Sequence, residues 1–278
     1  LGLALLFVLL WPLAPETWFG HLNFLTREQT LLPLGALVAS ALVGLVDDYL
    51  NVKKIGPQGG GLRVRHRLIL FTLIALVGAW WFYFKLDWDL LHIPFLGDFN
   101  IGWGYIPFFI LVIVGTSFSV NQTDGLDGLA GGTLSTAFAT LAVVSLLQGR
   151  VELAAFCAVI CGALLAFLWF NINPARFFMG DTGSMSLGVT LGIVAMLTNT
   201  ALLLPIMGIV FVMEAVSTIL QLVSKKLFKK KVFLSAPIHH HFEAKGWSEP
   251  KIVMRFWVIS MVASGLTIAL FMLDGLVV

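Results

Sequence analysis

The stretch IPFFILVIVGTSFSVNQTDGLDGLAGGTLSTAFATLAVVSLL, residues 106–147, decides how this chain must be read. Two apolar runs, each close to the roughly 20 residues a helix needs to cross hydrocarbon, enclose NQTDGLDGLAGG, with its two aspartates and four glycines. A carboxylate is costly inside a bilayer unless something pairs with it. The motif therefore belongs at a membrane boundary, and the helices on either side of it span the membrane.

The same alternation runs along the whole chain. Apolar runs of spanning length occupy 31–46, 68–84, 105–120, 129–148, 151–170, 183–200, 202–223 and 253–273, and a shorter one covers 1–13. Hydrophobic residues make up 59% and charged residues 12%, far from the quarter or so that is charged in soluble domains. These numbers predict an all-α, polytopic transmembrane helical bundle of about nine helices, folded as a single integral membrane domain over 1–278. The lipid bilayer is its first partner. The net charge of +2 gives no reason to expect nucleic acid. Cys157 and Cys161 lie one turn apart in an apolar run, which suits packing better than a disulfide or a four-ligand zinc site.

The placement of charge says more than its sum. Lys53, Lys54, Arg63, Arg65 and Arg67 share one loop, Arg176 lies in a second, and Lys225, Lys226, Lys229, Lys230, Lys231, Lys245 and Lys251 share a third, from which Arg255 enters the last helix. Only Arg27, Lys85 and Arg150 fall in the alternate loops, a split of fourteen to three. Cationic loops resist translocation, so the basic face is expected to be cytoplasmic. Much of KKLFKKK (225–231) is accounted for by topology and attraction to anionic lipid.

That basic face also carries the acids: Asp47 and Asp48 in GLVDDYLNVKK (44–54), Asp124 and Asp127 in the opening motif, and Asp181 in FNINPARFFMGDTGS (170–184). Carboxylates gathered at one end of a bundle repel one another unless a cation joins them. A hard divalent ion, magnesium above all, suits oxygen ligands and brings substrate phosphate with it. Glycines 125, 128, 131 and 132 allow backbone amides to approach an anion at a helix start. HHHFE (239–243) offers imidazoles for phosphate, sugar or metal, while Glu214 and Gln221 share one helix face inside an apolar span. Glu214 reads equally as a functional group or as an internal hydrogen bond between helices. No phosphate-loop lysine motif, dinucleotide fingerprint or nucleophile elbow occurs. Acids in membrane helices also mark ion pathways in transporters, but those sit near the midplane, whereas these cluster at one end.

These motifs, together with APIHHHFEAKGW (236–247) and KIVMRFW (251–257), resemble those of the phospho-N-acetylmuramoyl-pentapeptide transferases, within the polyprenyl-phosphate N-acetylhexosamine-1-phosphate transferase superfamily. The likeness extends from about residue 31 to the C-terminus. It implies a ten-helix fold and a magnesium-dependent reaction on the cytoplasmic face of the bacterial inner membrane. UDP-N-acetylmuramoyl-pentapeptide and undecaprenyl phosphate would give lipid I and UMP. It implies catalytic roles for Asp47, Asp48, Asp124, Asp127 and Asp181, with Asp181 and then Asn121 as metal ligands. Asn171 and Phe178 match positions near the nucleoside, and Gln221, His240 and His241 match the sugar and phosphate region. Lys53 and Lys54 fall at the basic position after the aspartate pair. A homodimer is also implied. Related enzymes that transfer N-acetylglucosamine phosphate share the acidic motifs but differ in the histidine loop. The family's first helix and its PTMGG element have no counterpart here, so an N-terminal segment is expected to precede Leu1.

Overall fold

A computed structural model of the chain describes residues 28–57 and 60–277. The long helices are α1 (Glu28–Val52), α2 (Val64–Lys85), α3 (Tyr105–Thr123), α4 (Leu129–Leu147), α5 (Val151–Asn171), α6 (Gly180–Leu197), α8 (Ile209–Leu227) and α10 (Glu249–Val277). Two short helices, α7 (Leu204–Met207) and α9 (Ile238–Ala244), complete the set. Among the described residues seven helices are long and apolar enough to cross a membrane: α1 to α6 and α10. The expected span at 202–223 is instead two pieces, α7 and α8, broken at Gly208. Helix α8 buries Val210, Phe211, Glu214, Ala215, Ser217 and Gln221 along one face and ends on Lys225 and Lys226. The run 1–13 lies outside the described residues.

Lipid tails are as apolar as the helices they surround, so spanning helices associate through close packing and hydrogen bonds. Helix α6 shows both. It packs mainly against α1 and α3, and small residues set the crossings. A Cβ on Gly44 would stand 2.5 Å from the Asp181 carbonyl oxygen, and one on Gly188 would stand 2.7 Å from Ser117 Cα. Hydroxyls in the middle of α6 return to their own helix: Ser186 to the Thr182 carbonyl at 2.6 Å and Thr190 to the Ser186 carbonyl at 2.8 Å. This satisfies those two buried donors within α6. On the other side, α4 packs on α5 and α10.

The loop WDLLHIPFLGDFNIGWGY (88–105), at the end of the bundle away from the acids, folds as a hairpin of β1 (Leu90–Ile93) and β2 (Gly97–Asn100), antiparallel, with Leu90 opposite Asn100. His92 lies between two carboxylates, with Nδ1 2.8 Å from Asp98 and Nε2 2.6 Å from Asp274 near the end of α10. The Phe95 amide donates to the same Asp274 at 2.5 Å. Partial burial works against a charge on His92, but the two carboxylates outweigh it and hold its pKa above the ordinary histidine value.

The Gly44 crossing can be tested directly. Gly44→Ala must push α1 away from α6 backbone, an overpacking cost of about 1–3 kcal/mol. The variant should melt at lower temperature than wild type in detergent, whereas Gly35→Ala, whose Cβ meets nothing within 4 Å, should not.

Candidate active site

Asp48 follows the last turns of α1 across to the start of α6. Its carboxylate accepts the Asp181 amide at 3.0 Å, the Thr182 amide at 2.9 Å and the Thr182 hydroxyl at 2.5 Å. The first amides of a helix lack partners within it, and a carboxylate there is favoured by both hydrogen bonding and the helix dipole. Asp48 is thus a cap supplied by another helix. Gly180 makes the approach possible: its φ is +67°, and a Cβ there would lie 2.9 Å from Asp48 Oδ2.

The cap presents Asp181 to its neighbours. Asn121 Nδ2 donates to Asp181 Oδ1 at 2.6 Å and to Ser184 Oγ at 3.1 Å. Arg67 Nη1 donates to Asp181 Oδ2 at 2.8 Å, and Arg67 Nε stands 3.4 Å from Asp47 Oδ2. Asp47 is 1% exposed. Its Oδ1 accepts the Leu62 amide at 2.5 Å, while its buried Oδ2 has no hydrogen-bond partner among the described residues. Asp47 and Asp181 therefore face each other with the Arg67 guanidinium between them.

The opening motif supplies the opposite wall. Helix α3 ends at Thr123, and α4 starts after Gly128, which takes φ +81°. The Gly128 amide donates to Asn171 Oδ1 at 3.0 Å, and its carbonyl accepts the Trp257 indole at 3.0 Å. Asp127 Oδ2 accepts from the Ala175 amide at 2.9 Å and from Asn173 Nδ2 at 3.1 Å, while the Asp127 amide donates to Glu249 at 2.6 Å. Asp127 thus ties three segments together. Asp124 keeps more freedom. Burial, then the charges of Asp181 and Asp48, push its pKa up to about 7 against the opposing Gly180 amide.

Asp48, Asn121, Asp124, Asp127, Asn171, Phe178 and Asp181, among others, line one cleft of about 360 Å³, which Asp47 and Arg67 do not border. Phe178 is 73% exposed and belongs as well to an apolar groove of about 490 Å³ between α1, α5 and α6. A polar cleft and an apolar groove thus meet at one side chain.

Other expected residues stand elsewhere. Lys53 and Lys54 are exposed beyond α1 and do not line the cleft. Asn171 reaches it but spends its amide on Gly128 and on the Phe177 carbonyl at 3.0 Å. Gln221 is buried and holds the 232–233 backbone through Val232 N, Phe233 N and the Phe233 carbonyl, each at 3.0 Å. His240 pairs with Glu243 at 2.5 Å, and His241 Nδ1 accepts the Leu234 amide at 3.1 Å. His239 reaches closest to the motif. It is 1% exposed, hydrogen-bonded at 2.9 Å to the fully buried Glu214, and its Nε2 lies 2.4 Å from where a Gly125 Cβ would be. Glu214 thus forms the internal hydrogen bond that was one of its two readings. Two residues missed in the sequence matter here. Arg67 was hidden among basic residues that topology explained, and Glu249 looked like an ordinary acid at a helix start.

Among the described residues no three His, Cys, Asp or Glu side chains converge as a ready-made metal cluster. Magnesium does not require one, since it commonly takes one or two carboxylates and completes its shell with water and substrate phosphate. Asp181 and the unpartnered Asp47 Oδ2 fit that demand. Asn121 presents its amide nitrogen to Asp181, so it would join such a shell only after its amide turns over.

A bundle of spanning helices with acids gathered at one end, from the last turns of α1, the α3–α4 loop and the start of α6, is the architecture of a membrane-embedded transferase of phosphorylated substrates. Residues 30–199 match the family model described as glycosyl transferase family 4. The chain is 41% identical over 266 residues to the phospho-N-acetylmuramoyl-pentapeptide-transferase of Chloroflexus aggregans, covering 91% of this chain and 72% of that protein. It is 42% identical over 276 residues to the enzyme of the same name from Leptospira biflexa (88% and 74%) and 43% over 247 residues to that of Desulfotalea psychrophila (82% and 68%). The chain belongs to glycosyl transferase family 4 and, within it, to the phospho-N-acetylmuramoyl-pentapeptide-transferases.

The Asp124 environment gives a signed pH dependence. The folded chain keeps this proton where the unfolded chain has released it, so the carboxyl's contribution to stability falls as pH rises from about 4 to about 7. In metal-free buffer Asp124→Asn should raise the melting temperature most at pH 8, less at pH 5 and hardly at all below about pH 4. An equal shift at every pH would contradict the assignment.

Proposed function

We propose that this protein transfers phospho-N-acetylmuramoyl-pentapeptide from its UDP conjugate to undecaprenyl phosphate, forming lipid I and UMP in peptidoglycan synthesis. The convergence of Asp47, Asp48, Asn121, Asp124, Asp127 and Asp181 at one end of the bundle carries this reading. The names and similarity of the relatives support it. The chain acts as one membrane domain with the cleft toward the cytoplasm, the side to which the basic loops assign it.

A phosphate oxygen of the lipid attacks the β-phosphorus of the UDP-sugar. A new phosphorus–oxygen bond forms as the bond to the α-phosphate breaks, and UMP departs with the electron pair. The acceptor is a phosphate monoester, already largely ionised near neutral pH, so no side chain has to take a proton from it. Asp48 serves as an anchor, because both its oxygens are engaged at the start of α6. Asp181 and Asp47 would hold magnesium, joined by Asn121 only once its amide turned its oxygen inward. The ion would supply charge neutralisation on the diphosphate. Asp127 and Asn171 keep the glycine loop in register, and Phe178 offers its exposed ring to the uracil. The junction of cleft and groove at Phe178 suits an acceptor with an anionic head and a long apolar tail.

Asp181→Asn should lower lipid I formation by at least about a hundredfold in detergent with magnesium present, the scale seen when a group that stabilises the transition state is removed. Full activity would remove Asp181 from the centre. Offering UDP-N-acetylmuramoyl-pentapeptide and UDP-N-acetylglucosamine to the same preparation should label the lipid from the first donor alone.

A further inference from the structure

The carboxylates of Asp47 and Asp181 are brought together on purpose-built supports, yet one basic side chain already stands between them. Arg67 Nη1 lies 2.8 Å from Asp181 Oδ2, and Nε lies 3.4 Å from Asp47 Oδ2. Arg67 is a quarter exposed, whereas Asp47 is almost wholly buried, and its Oδ2 lacks a hydrogen bond among the described residues. The pairing is therefore uneven. Asp181 has a short, aligned contact, while Asp47 has only proximity to positive charge. A buried carboxylate oxygen without a hydrogen bond is costly, and a guanidinium on a long stem near the surface can leave at little cost.

We infer that Arg67 is a built-in competitor for the cation between Asp47 and Asp181: it offsets one of their two charges while no metal is bound and is displaced from Asp181 when a divalent ion enters. The inference rests on the proposed reading of Asp181 as a metal ligand. It gives Arg67 a positioning role. Before the ion arrives, the guanidinium keeps two like charges from separating α1 and α6. Afterwards it lowers the apparent metal affinity by the strength of the ion pair it gives up.

The test measures Mn²⁺ binding to purified, metal-free protein in detergent by the paramagnetic resonance signal of free Mn²⁺. Arg67→Gln should bind Mn²⁺ about two- to fivefold more tightly than wild type, the range expected for releasing a partly exposed ion pair. Arg67→Lys, which keeps the charge without the planar fork, should fall between. Arg65→Gln removes an exposed cation nearby that makes no contact with the pair, so it should leave the affinity unchanged, as a general charge effect would not. In wild type, phenylglyoxal labelling of Arg67, read by mass spectrometry, should rise when Mn²⁺ is added; this arm decides the question even if the glutamine variant fails to fold. Unchanged or weaker binding by Arg67→Gln, or labelling that does not rise, overturns the inference. Asp181→Asn separates the two levels. Loss of Mn²⁺ binding there with no gain in Arg67→Gln defeats only the competitor role, whereas unchanged binding in Asp181→Asn defeats the metal reading beneath it.

Discussion

The site depends on a single carboxylate that crosses from one helix to the beginning of another. Within a bilayer, water exclusion does little to press helices together, so the α1–α6 contact must come from fit and hydrogen bonding. Gly44 supplies the fit and Asp48 the hydrogen bonds. The two are four residues apart, one above the other on the same helix face. Once α6 is held in this way, Asp181 can face only the space occupied by Asn121, Arg67 and Asp47. Replacing an ordinary cap costs about 0.5–2 kcal/mol, but here the same group also sets where the reacting centre lies.

The acids divide their work by how many partners they have. Asp48 and Asp127 are engaged by backbone, hydroxyl and amide donors, which fixes the segments they hold. Asp47 Oδ2 and Asp181 Oδ2 both face the Arg67 guanidinium. Asp124 lies between these extremes, burdened by two neighbouring charges and able to hold a proton near neutrality. Five aspartates that look alike in a sequence thus become anchors, an ion-paired couple and a titratable wall according to the partners each one meets.

Much of this was legible beforehand. Composition and run lengths gave the spanning helices, and the coincidence of acids with basic loops pointed to the end of the bundle where the cleft lies. The break at Gly208 was not visible, because 202–223 is apolar enough to pass as one span; what interrupts it is the local turn between α7 and α8. Side-chain destinations were harder still. Gln221 and His241 have the polarity of substrate ligands, yet both are turned toward the 232–234 backbone, which needs partners of its own. Arg67 was masked by four other cations in its loop, and only three-dimensional proximity distinguishes it from them. The resemblance to a family drew attention to the central histidines, whereas burial singles out His239.

Helix α10 joins the two ends of the molecule. Its first turn meets the glycine loop through Glu249, its third supports Gly128 through Trp257, and its far end grips the hairpin through Asp274. Twenty-nine residues at 1.5 Å each make a rod of about 43 Å. A strut pinned at both extremities cannot freely tilt to suit a thinner or thicker lipid layer, the usual response of a single helix to mismatch. A tilt of α10 would therefore have to break either its contacts with the hairpin or those beneath the glycine loop.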